Sequence, residues 1–264
     1  MNINQNVKPV ASAKGASLIE SEFVAAVDRS ELHEQPFDHI YMEGVFDPKS
    51  YQDMLAAMPD RRFYHELRHR DALRADGTST RLRLYLYPEL LWRLPPQQRR
   101  VWLPIARALV SRRLEDAFKR KFRSALEERF GKPVEELRVY PIPILLRDQP
   151  GYRISIHSDV PTKAVTVQFY LPPDASQRGI GTIFHEGERG AKAKKTTQMP
   201  FMPATGYAFP VSLTKSWHSA AQTVEADGER VTMMVTYYVA DDLGRQIKYR
   251  LRRAALWLGI HPER

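Results

Sequence analysis

The sequence predicts a mixed α and β fold in which helices precede a mainly β core. Two observations carry this prediction. Residues 97–129 repeat apolar side chains at spacings of three and four, which is typical of a helix that packs one face against a sheet. Residues 137–239 instead form short β-prone runs separated by turn signals. This texture indicates a barrel-like core of eight strands.

Shorter elements follow from local patterns. A strand is expected near residues 39–42, and a helix from about 48 to 58. Alternating apolar side chains from Arg81 to Tyr87 indicate a strand with a basic edge. Residues 1–20 are small and polar and are expected to be mobile. The polar, glycine-containing segment 186–199 is expected to form a flexible loop, with a lid and a plain connection as its two interpretations.

Length and composition limit the class of protein. The 264 residues suffice for one domain, predicted as a support at 1–135, a β core at 136–242 and a basic helix at 243–264. The absence of cysteine excludes a disulfide framework and thiolate metal ligands. No stretch resembles a signal peptide and no run is long enough to span a bilayer, so a cytoplasmic location is expected.

The formal net charge of +9 would suit an anionic partner. The basic residues are spread along the chain without a nucleic-acid-binding motif, so no nucleic-acid partner is expected and most of the charge is interpreted as a solvated surface. Residues 244–264 predict a basic amphipathic helix. Packing on the domain is the first interpretation of this helix, and peripheral contact with an anionic membrane is the second.

Three candidate metal ligands lie in the second half of the chain. His157 and Asp159 are two residues apart in a run where Ile154 and Ile156 alternate with them, which predicts a strand with one apolar face and one ligand-bearing face. Side chains at this spacing project to the same side, about 6.5–7 Å apart. His218 supplies a second imidazole. Two imidazoles and one carboxylate on one face of Fe(II) leave positions open for a chelating substrate and O2, so the pattern points to an oxygenase.

Arg230 follows His218 by twelve residues. The Asp-Gly turn signal within residues 226–229 predicts a β-hairpin between them, which would return both side chains to the same site. A guanidinium can bind a carboxylate through two parallel hydrogen bonds. Arg230 is therefore the candidate that binds a dicarboxylate co-substrate.

From about residue 36 to 240 the chain resembles the iron(II)- and 2-oxoglutarate-dependent dioxygenases of the prolyl-4-hydroxylase-like type. The resemblance rests on His157-x-Asp159, on the distal His218, and on Arg230 followed two residues later by Thr232.

Weaker matches and departures accompany these motifs. The run TVQFYLPPD resembles the family strand that ends in Tyr-Leu-Asn, and its tyrosine is Tyr170. The segments 179–184 and 203–206 resemble the Gly-Gly-Glu-Thr segment and the Pro-x-x-Gly turn of the family. Asp148 stands where a tyrosine is common, and Pro172 replaces the asparagine after Tyr-Leu.

The resemblance implies an α+β, mainly β fold with a double-stranded β-helix (jelly-roll, cupin-like) core, packed N-terminal helices and a C-terminal helix. It implies Fe(II) as the metal, with 2-oxoglutarate and O2 as co-substrates, and hydroxylation of an unactivated carbon with release of succinate and CO2. The implied catalytic and metal-binding residues are His157, Asp159 and His218. The implied residues for the distal carboxylate of 2-oxoglutarate are Arg230, Thr232 and Tyr170.

Substrate contacts are predicted on weaker grounds. Arg153 and Ser155 share the predicted ligand-bearing face, and the further candidates are Arg83, Tyr85, His185 and Trp217. Arginines near the mouth suit an anionic small molecule such as an amino acid, a natural product or a sugar. The alternatives are a protein side-chain (prolyl-type) hydroxylase, a non-catalytic metal-containing β-barrel binding protein, and a basic nucleic-acid- or membrane-binding protein with incidental His and Asp residues.

Overall fold

The computed structural model describes residues 11–68, 70–187 and 195–260, which contain six α-helices and eleven strands. The helices are α1 (Ala11–Arg29), α2 (Pro48–Ala56), α3 (Pro96–Leu109), α4 (Arg112–Lys121), α5 (Arg123–Phe130) and α6 (Leu243–Trp257). The strands are β1 (Ile40–Met42), β2 (His65–Glu66), β3 (Arg81–Tyr85), β4 (Val139–Asp148), β5 (Ile154–His157), β6 (Lys163–Tyr170), β7 (Thr182–Glu186), β8 (Lys195–Gln198), β9 (Thr205–Pro210), β10 (Trp217–Ala220) and β11 (Arg230–Val239).

The strands form two antiparallel sheets. The large sheet has the order β1-β9-β6-β11-β4-β3-β2, and the small sheet has the order β5-β10-β7-β8. From β4 onward the chain passes back and forth between the two sheets, so that eight strands wind into a double-stranded β-helix. This topology confirms the predicted fold class.

The hairpin predicted at residues 226–229 is wrong. β10 belongs to the small sheet and β11 to the large sheet, and the short 3-10 helix Glu225–Asp227 precedes a turn at Gly228, whose φ is 67°. A local Asp-Gly signal indicates where the chain turns, but it does not determine which sheet the next strand joins. His218 and Arg230 therefore start from opposite sheets.

The N-terminal segment also differs from its prediction. Residues 1–10 lie outside the described residues, but the chain is helical from Ala11. Phe23 and Val27 of this helix are fully buried, and the ring of Phe23 stacks on Phe169 of β6 with centroids 5.0 Å apart. Because packing of an apolar face supplies most of the stability of a helix, the polar composition of the first turns gave a misleading signal.

The long helix predicted over 97–129 is divided into α3, α4 and α5. Ser111 separates the first two, and its hydroxyl accepts a hydrogen bond from the Leu114 amide at 3.2 Å. Such N-caps begin a new helix because they satisfy an otherwise unpaired amide. α5 ends at Gly131, which has a φ of 65°. Apolar side chains of all three helices, including Trp102, Phe118 and Leu126, join the main core.

The segment 186–199 and the C-terminal helix also differ in how far they follow the sequence prediction. Of the predicted loop 186–199, residues 188–194 lie outside the described residues, whereas 195–198 form β8 and pair with β7. The C-terminal helix is present as α6 and packs on the domain through Tyr249 and Leu256. In the three described ranges, no helix has both the length and the apolar character needed to cross a bilayer.

Gly181 is required by close packing rather than by its backbone angle. An added Cβ would lie 1.7 Å from the Met199 carbonyl oxygen, whereas at Gly179 it would meet nothing within 4 Å. We expect Gly181→Ala to lower the free energy of unfolding by about 1–3 kcal/mol, because the two backbones must separate. Gly179→Ala is the matched control in urea denaturation. Equal stability of the two variants would contradict this packing.

Candidate metal centre

The three predicted ligands converge at one end of the small sheet. His157 ends β5, Asp159 follows two residues later, and His218 lies on β10 directly opposite His157. The two imidazole ring centroids are 4.3 Å apart. One ligand atom from each of the three side chains lies within 4.8 Å of the others, so the three side chains are candidates for binding one ion.

Backbone contacts orient both imidazoles. Nδ1 of His157 lies 3.0 Å from the Ser155 carbonyl oxygen, and Nδ1 of His218 lies 3.0 Å from that of Ser216. Since a carbonyl oxygen only accepts, each Nδ1 carries the proton and each Nε2 keeps the lone pair that binds metals. Burial lowers the pKa of His218 to about 4, so this ring is neutral at pH 7.

The Asp159 carboxylate is held from the protein side. The Lys163 ammonium donates to Oδ1 at 2.5 Å, and the Thr166 hydroxyl donates to Oδ2 at 2.6 Å. Burial alone raises the pKa of Asp159, but the Lys163 charge and these hydrogen bonds outweigh it and hold the pKa well below its usual range. Two imidazoles and one ionised carboxylate are a donor set that fits Fe(II).

Lys163 competes with a metal for the charge of Asp159. We expect Lys163→Met to tighten divalent-cation binding by about tenfold, because the Asp159 carboxylate no longer shares its charge with a partly buried ammonium. Without metal, the variant should melt at a lower temperature than the wild type. Added Mn²⁺ should raise its melting temperature by more than it raises that of the wild type. Lys132→Met, which removes a partly exposed pair with Asp241, is the control. Weaker Mn²⁺ binding in the Lys163 variant would contradict this role.

A buried charge cluster lies at the ends of β4 and β11. Asp148 lies directly opposite Arg230 and accepts from its Nη1 at 3.0 Å. The same carboxylate accepts from Arg81 Nε at 2.6 Å and from its Nη2 at 3.2 Å. The side chains of Arg81, Asp148 and Arg230 are only 11%, 0% and 1% exposed. Two guanidiniums and one carboxylate leave a surplus of one positive charge inside the protein, which favours a bound anion.

Arg230 retains donor capacity within this cluster. Its Nε donates to the Ile180 carbonyl oxygen at 3.0 Å, whereas Nη2 lies 3.3 Å from the Thr182 hydroxyl and 3.5 Å from Gln168 Oε1. The two Nη2 contacts are longer than a good N–H···O bond. A carboxylate placed there would be a stronger acceptor than either neutral group.

The structure brings the other two predicted carboxylate-binding residues to Arg230. The guanidinium carbon lies 5.6 Å from the ring centroid of Tyr170, whose hydroxyl accepts from the Thr182 amide at 2.9 Å. The Thr232 hydroxyl accepts from Gln168 Nε2 at 3.0 Å. All of these side chains are buried, and burial raises the pKa of Tyr170.

One face of β6 connects the candidate metal ligands with Arg230. Thr166 contacts Asp159, and Gln168 and Tyr170 contact Arg230. Because the three β6 residues are spaced by two, they form a continuous polar strip with side chains about 6.5–7 Å apart. The candidate metal centre and the guanidinium thus lie at the two ends of one short polar strip inside the barrel.

β5 does not have the regular alternation predicted for it. His157 pairs with His218, but Ala220 pairs with Ile154, so a bulge interrupts the register. The predicted apolar face is also not buried, since Ile156 is 36% exposed and β5 is an edge strand of the small sheet. Convergence of the ligands therefore depends on the pairing with β10 and not on strand periodicity alone.

Arg153 and Ser155 are exposed and line an open cleft of about 780 Å³ beside β5. The other residues that line this cleft are Asp71, Leu73, Arg74, Ala75, Thr80, Gly151 and Gln222. Ser155 connects this cleft with His157 through its carbonyl oxygen, but none of the three candidate ligands lines the cleft.

His185 and Trp217 lie elsewhere. They are directly opposite each other on β7 and β10, and each neighbours a residue that faces the interior, Phe184 or His218. Because side chains alternate along a strand, both project from the outer face of the small sheet. The structure therefore does not bring these two substrate candidates to the candidate metal ligands. Trp217 is adjacent to His218 on β10, so the two side chains project to opposite faces of the sheet.

Arg83 lies on the same face of β3 as Arg81 and is 6% exposed. Its guanidinium carbon lies 5.3 Å from the ring centroid of Tyr85. Neither residue lines the cleft beside β5, and the Tyr85 hydroxyl accepts a hydrogen bond from Arg252 of α6.

Several residues of the site were missed by sequence reasoning: Arg81, Lys163, Thr166, Gln168 and Thr182. A signal existed for two of them, because Thr166 and Gln168 interrupt an apolar run at a spacing of two that ends at Tyr170. No such signal marks Arg81, which meets Asp148 across 67 residues of sequence.

The fold and the site define a double-stranded β-helix protein with a candidate two-histidine, one-carboxylate metal centre. No protein-family model and no curated protein sequence matches this chain. Solved structures do match its fold. The chain is similar to a dioxygenase for auxin oxidation from rice, with a TM-score of 0.50 and 14% identity over 92% of this chain and 90% of that chain.

Two further structural matches are more distant by TM-score. A prolyl-4-hydroxylase from Pseudomonas putida matches with a TM-score of 0.46 and 12% identity over 83% of this chain and 99% of that chain. A prolyl hydroxylase from Trichoplax adhaerens matches with a TM-score of 0.49 and 10% identity over 93% of this chain and 99% of that chain. At such identities the likeness to solved structures concerns the fold, and activity has to be argued from the site.

Proposed function

We propose that this protein is an Fe(II)- and 2-oxoglutarate-dependent oxygenase. The observation that carries the proposal is the position of Arg230, buried with a surplus positive charge at one end of a polar strip that begins at the metal ligands. The metal ligands alone would suit several divalent-metal chemistries. A guanidinium at the far end of the strip suits a dicarboxylate that also chelates the metal.

Each residue has a defined role in this proposal. His157, Asp159 and His218 would hold Fe(II), while Arg230, Thr232 and Tyr170 would bind the distal carboxylate of 2-oxoglutarate. When bound, Fe(II) with 2-oxoglutarate and O2 supplies the oxidising power to hydroxylate an unactivated carbon, with succinate and CO2 as co-products. Lys163 and Thr166 orient Asp159, and Asp148 with Arg81 fixes Arg230 so that its Nη2 faces the strip.

Aromatic side chains exclude water from the interior near His218. The ring of Phe209 lies 5.0 Å from the imidazole, and Phe184 and Phe37 pack behind it. Removal of water strengthens every charge interaction in the site. It also protects a reactive centre from side reactions with solvent.

The cleft beside β5 supports an anionic small molecule as the substrate. Its volume of about 780 Å³ lies within the range that encloses small ligands, and Arg74 and Arg153 on its wall suit a negatively charged group. An amino acid, a natural product or a sugar acid therefore fits better than the prolyl-type alternative.

Co-substrate binding tests the proposal directly. Anaerobic addition of Fe(II) and 2-oxoglutarate should produce a weak visible charge-transfer band, and Arg230→Met should raise the 2-oxoglutarate concentration needed for half of the band by about 100-fold. Arg147→Met is the matched control, because Arg147 pairs with Glu229 at a partly exposed position. No band in the wild type, or the same titration in both variants, would overturn the proposal.

Admission of O2 separates an enzyme from a metal-containing binding protein. The oxygenase should release succinate slowly even without its substrate, and Asp159→Ala should release none. A band that persists in air without succinate formation would instead indicate the non-catalytic binding protein.

A further inference from the structure

The C-terminal helix α6 has one face that packs on the domain. Tyr249 and Leu256 are buried there, and the Arg252 guanidinium donates to the Tyr85 hydroxyl at 3.1 Å. Arg253 forms an ion pair with Glu89. These contacts fix the rotation of the helix about its axis. Its opposite face is therefore turned away from the domain.

The opposite face of α6 carries an apolar stripe. Leu243, Ile247, Leu251 and Leu258 occur at spacings of four, four and seven, which places them within a sector of about 80° on a helix of 3.6 residues per turn. All four are exposed, and Leu243 and Leu251 are 70% and 64% exposed. An apolar stripe of this length on a surface helix marks an interaction site.

Two exposed tryptophans lie near the end of the helix. Trp257 and Trp92 are both more than half exposed. Arg93 connects their segments, since its Nη2 donates to the Trp257 carbonyl oxygen at 2.7 Å. Exposed tryptophan beside arginine is typical of segments that sit at the level of lipid headgroups.

The charge of α6 identifies the partner. The helix contains five basic residues and no acidic residue: Arg245, Lys248, Arg250, Arg252 and Arg253. Lys248 and Arg250 are exposed on the two flanks of the stripe. A second copy would bring a helix of the same charge against it and would be repelled, whereas anionic headgroups would neutralise both flanks.

We propose that α6 is a docking surface for an anionic phospholipid membrane. The stripe inserts at the boundary between headgroups and acyl chains, while Lys248 and Arg250 contact the headgroup phosphates. The helix lies parallel to the membrane, because its other face stays packed on the domain. This inference does not depend on the proposed oxygenase activity.

Vesicle co-sedimentation of the full chain tests the surface. Binding to vesicles with phosphatidylglycerol should exceed binding to pure phosphatidylcholine, and Leu251→Glu should weaken it by about tenfold or more. Leu213→Glu is the control, because this leucine is also exposed but lies between β9 and β10. Trp257 emission should shift to shorter wavelength on the anionic vesicles, and Trp257→Phe should remove most of that shift.

Each contrary result has a clear meaning. Equal binding to both vesicle types, equal loss in both glutamate variants, or no binding would overturn the proposal. A concentration-dependent dimer in size-exclusion chromatography that Leu251→Glu abolishes would also overturn it, because the stripe would then be a contact between copies. Unchanged thermal melting of Leu251→Glu checks that the fold is intact, as expected for an exposed position.

Discussion

Replacement of Asp148 by alanine is expected to lower the free energy of unfolding by about 3–5 kcal/mol. The carboxylate is fully buried and accepts hydrogen bonds from both Arg81 and Arg230. Its removal leaves two adjacent guanidiniums in the interior without a counter-ion. Urea denaturation at pH 7 measures the loss as a lower midpoint at an unchanged slope.

Arg230→Met provides the comparison for this prediction. It removes one charge but leaves the Arg81–Asp148 pair, so it should cost less stability than Asp148→Ala even though both side chains are buried. The double variant should be more stable than the sum of the two single effects predicts, because the second change removes the repulsion caused by the first. Strict additivity, or an Asp148→Ala variant as stable as the wild type, would show that the cluster is not a single electrostatic unit.

Added 2-oxoglutarate should stabilise the wild type more than it stabilises the Arg230→Met variant.

Substitution of a metal ligand is expected to have the largest functional effect. His218→Ala removes the buried imidazole whose Nε2 is left free by the Nδ1 contact to Ser216, and the affinity for Fe(II) should fall by more than about 100-fold. Anaerobic titration calorimetry, or metal content after dialysis, measures the loss. Succinate release should disappear in parallel.

His185→Ala is the matched control for this measurement. His185 is also a buried histidine of the small sheet and lies one residue from Phe184, the direct partner of His218, but its Nε2 contacts Ser219 on the outer face. Metal affinity should be unchanged in this variant. Similar losses in the two variants would mean that the small sheet as a whole, and not the interior ligands, determines metal binding.

Local patterns predicted most elements of this fold. The strand at Ile40–Met42, the helix from Pro48 and the strand at Arg81–Tyr85 all appear within about two residues of their predicted ends. α1 was missed, because its stability comes from side chains such as Phe23 that pack on distant elements. The break at Ser111 was missed for a different reason, since the apolar spacing continues across the capped boundary.

The residues of the candidate site likewise fall into those that local patterns predict and those that depend on distant contacts. His157, Asp159 and His218 were predicted as metal ligands because few residue types bind a divalent metal and the spacing of these three residues narrowed the choice. Lys163 and Arg81 were not found, since an ion pair inside a protein depends on which side chains the fold makes neighbours. His185 and Trp217 were chosen by proximity in sequence, but alternation along β7 and β10 places them outside the barrel.

The sequence by itself predicted the fold class of this protein and its chemical inventory: two histidines and a carboxylate as candidate metal ligands, and an arginine downstream of them. Only the tertiary structure decided which basic side chain each buried carboxylate pairs with. It placed Asp148 between Arg81 and Arg230, and it placed Lys163 on Asp159. The physical reason is that side-chain type fixes what a residue can bind, whereas burial and long-range pairing fix which partner it meets and how strongly.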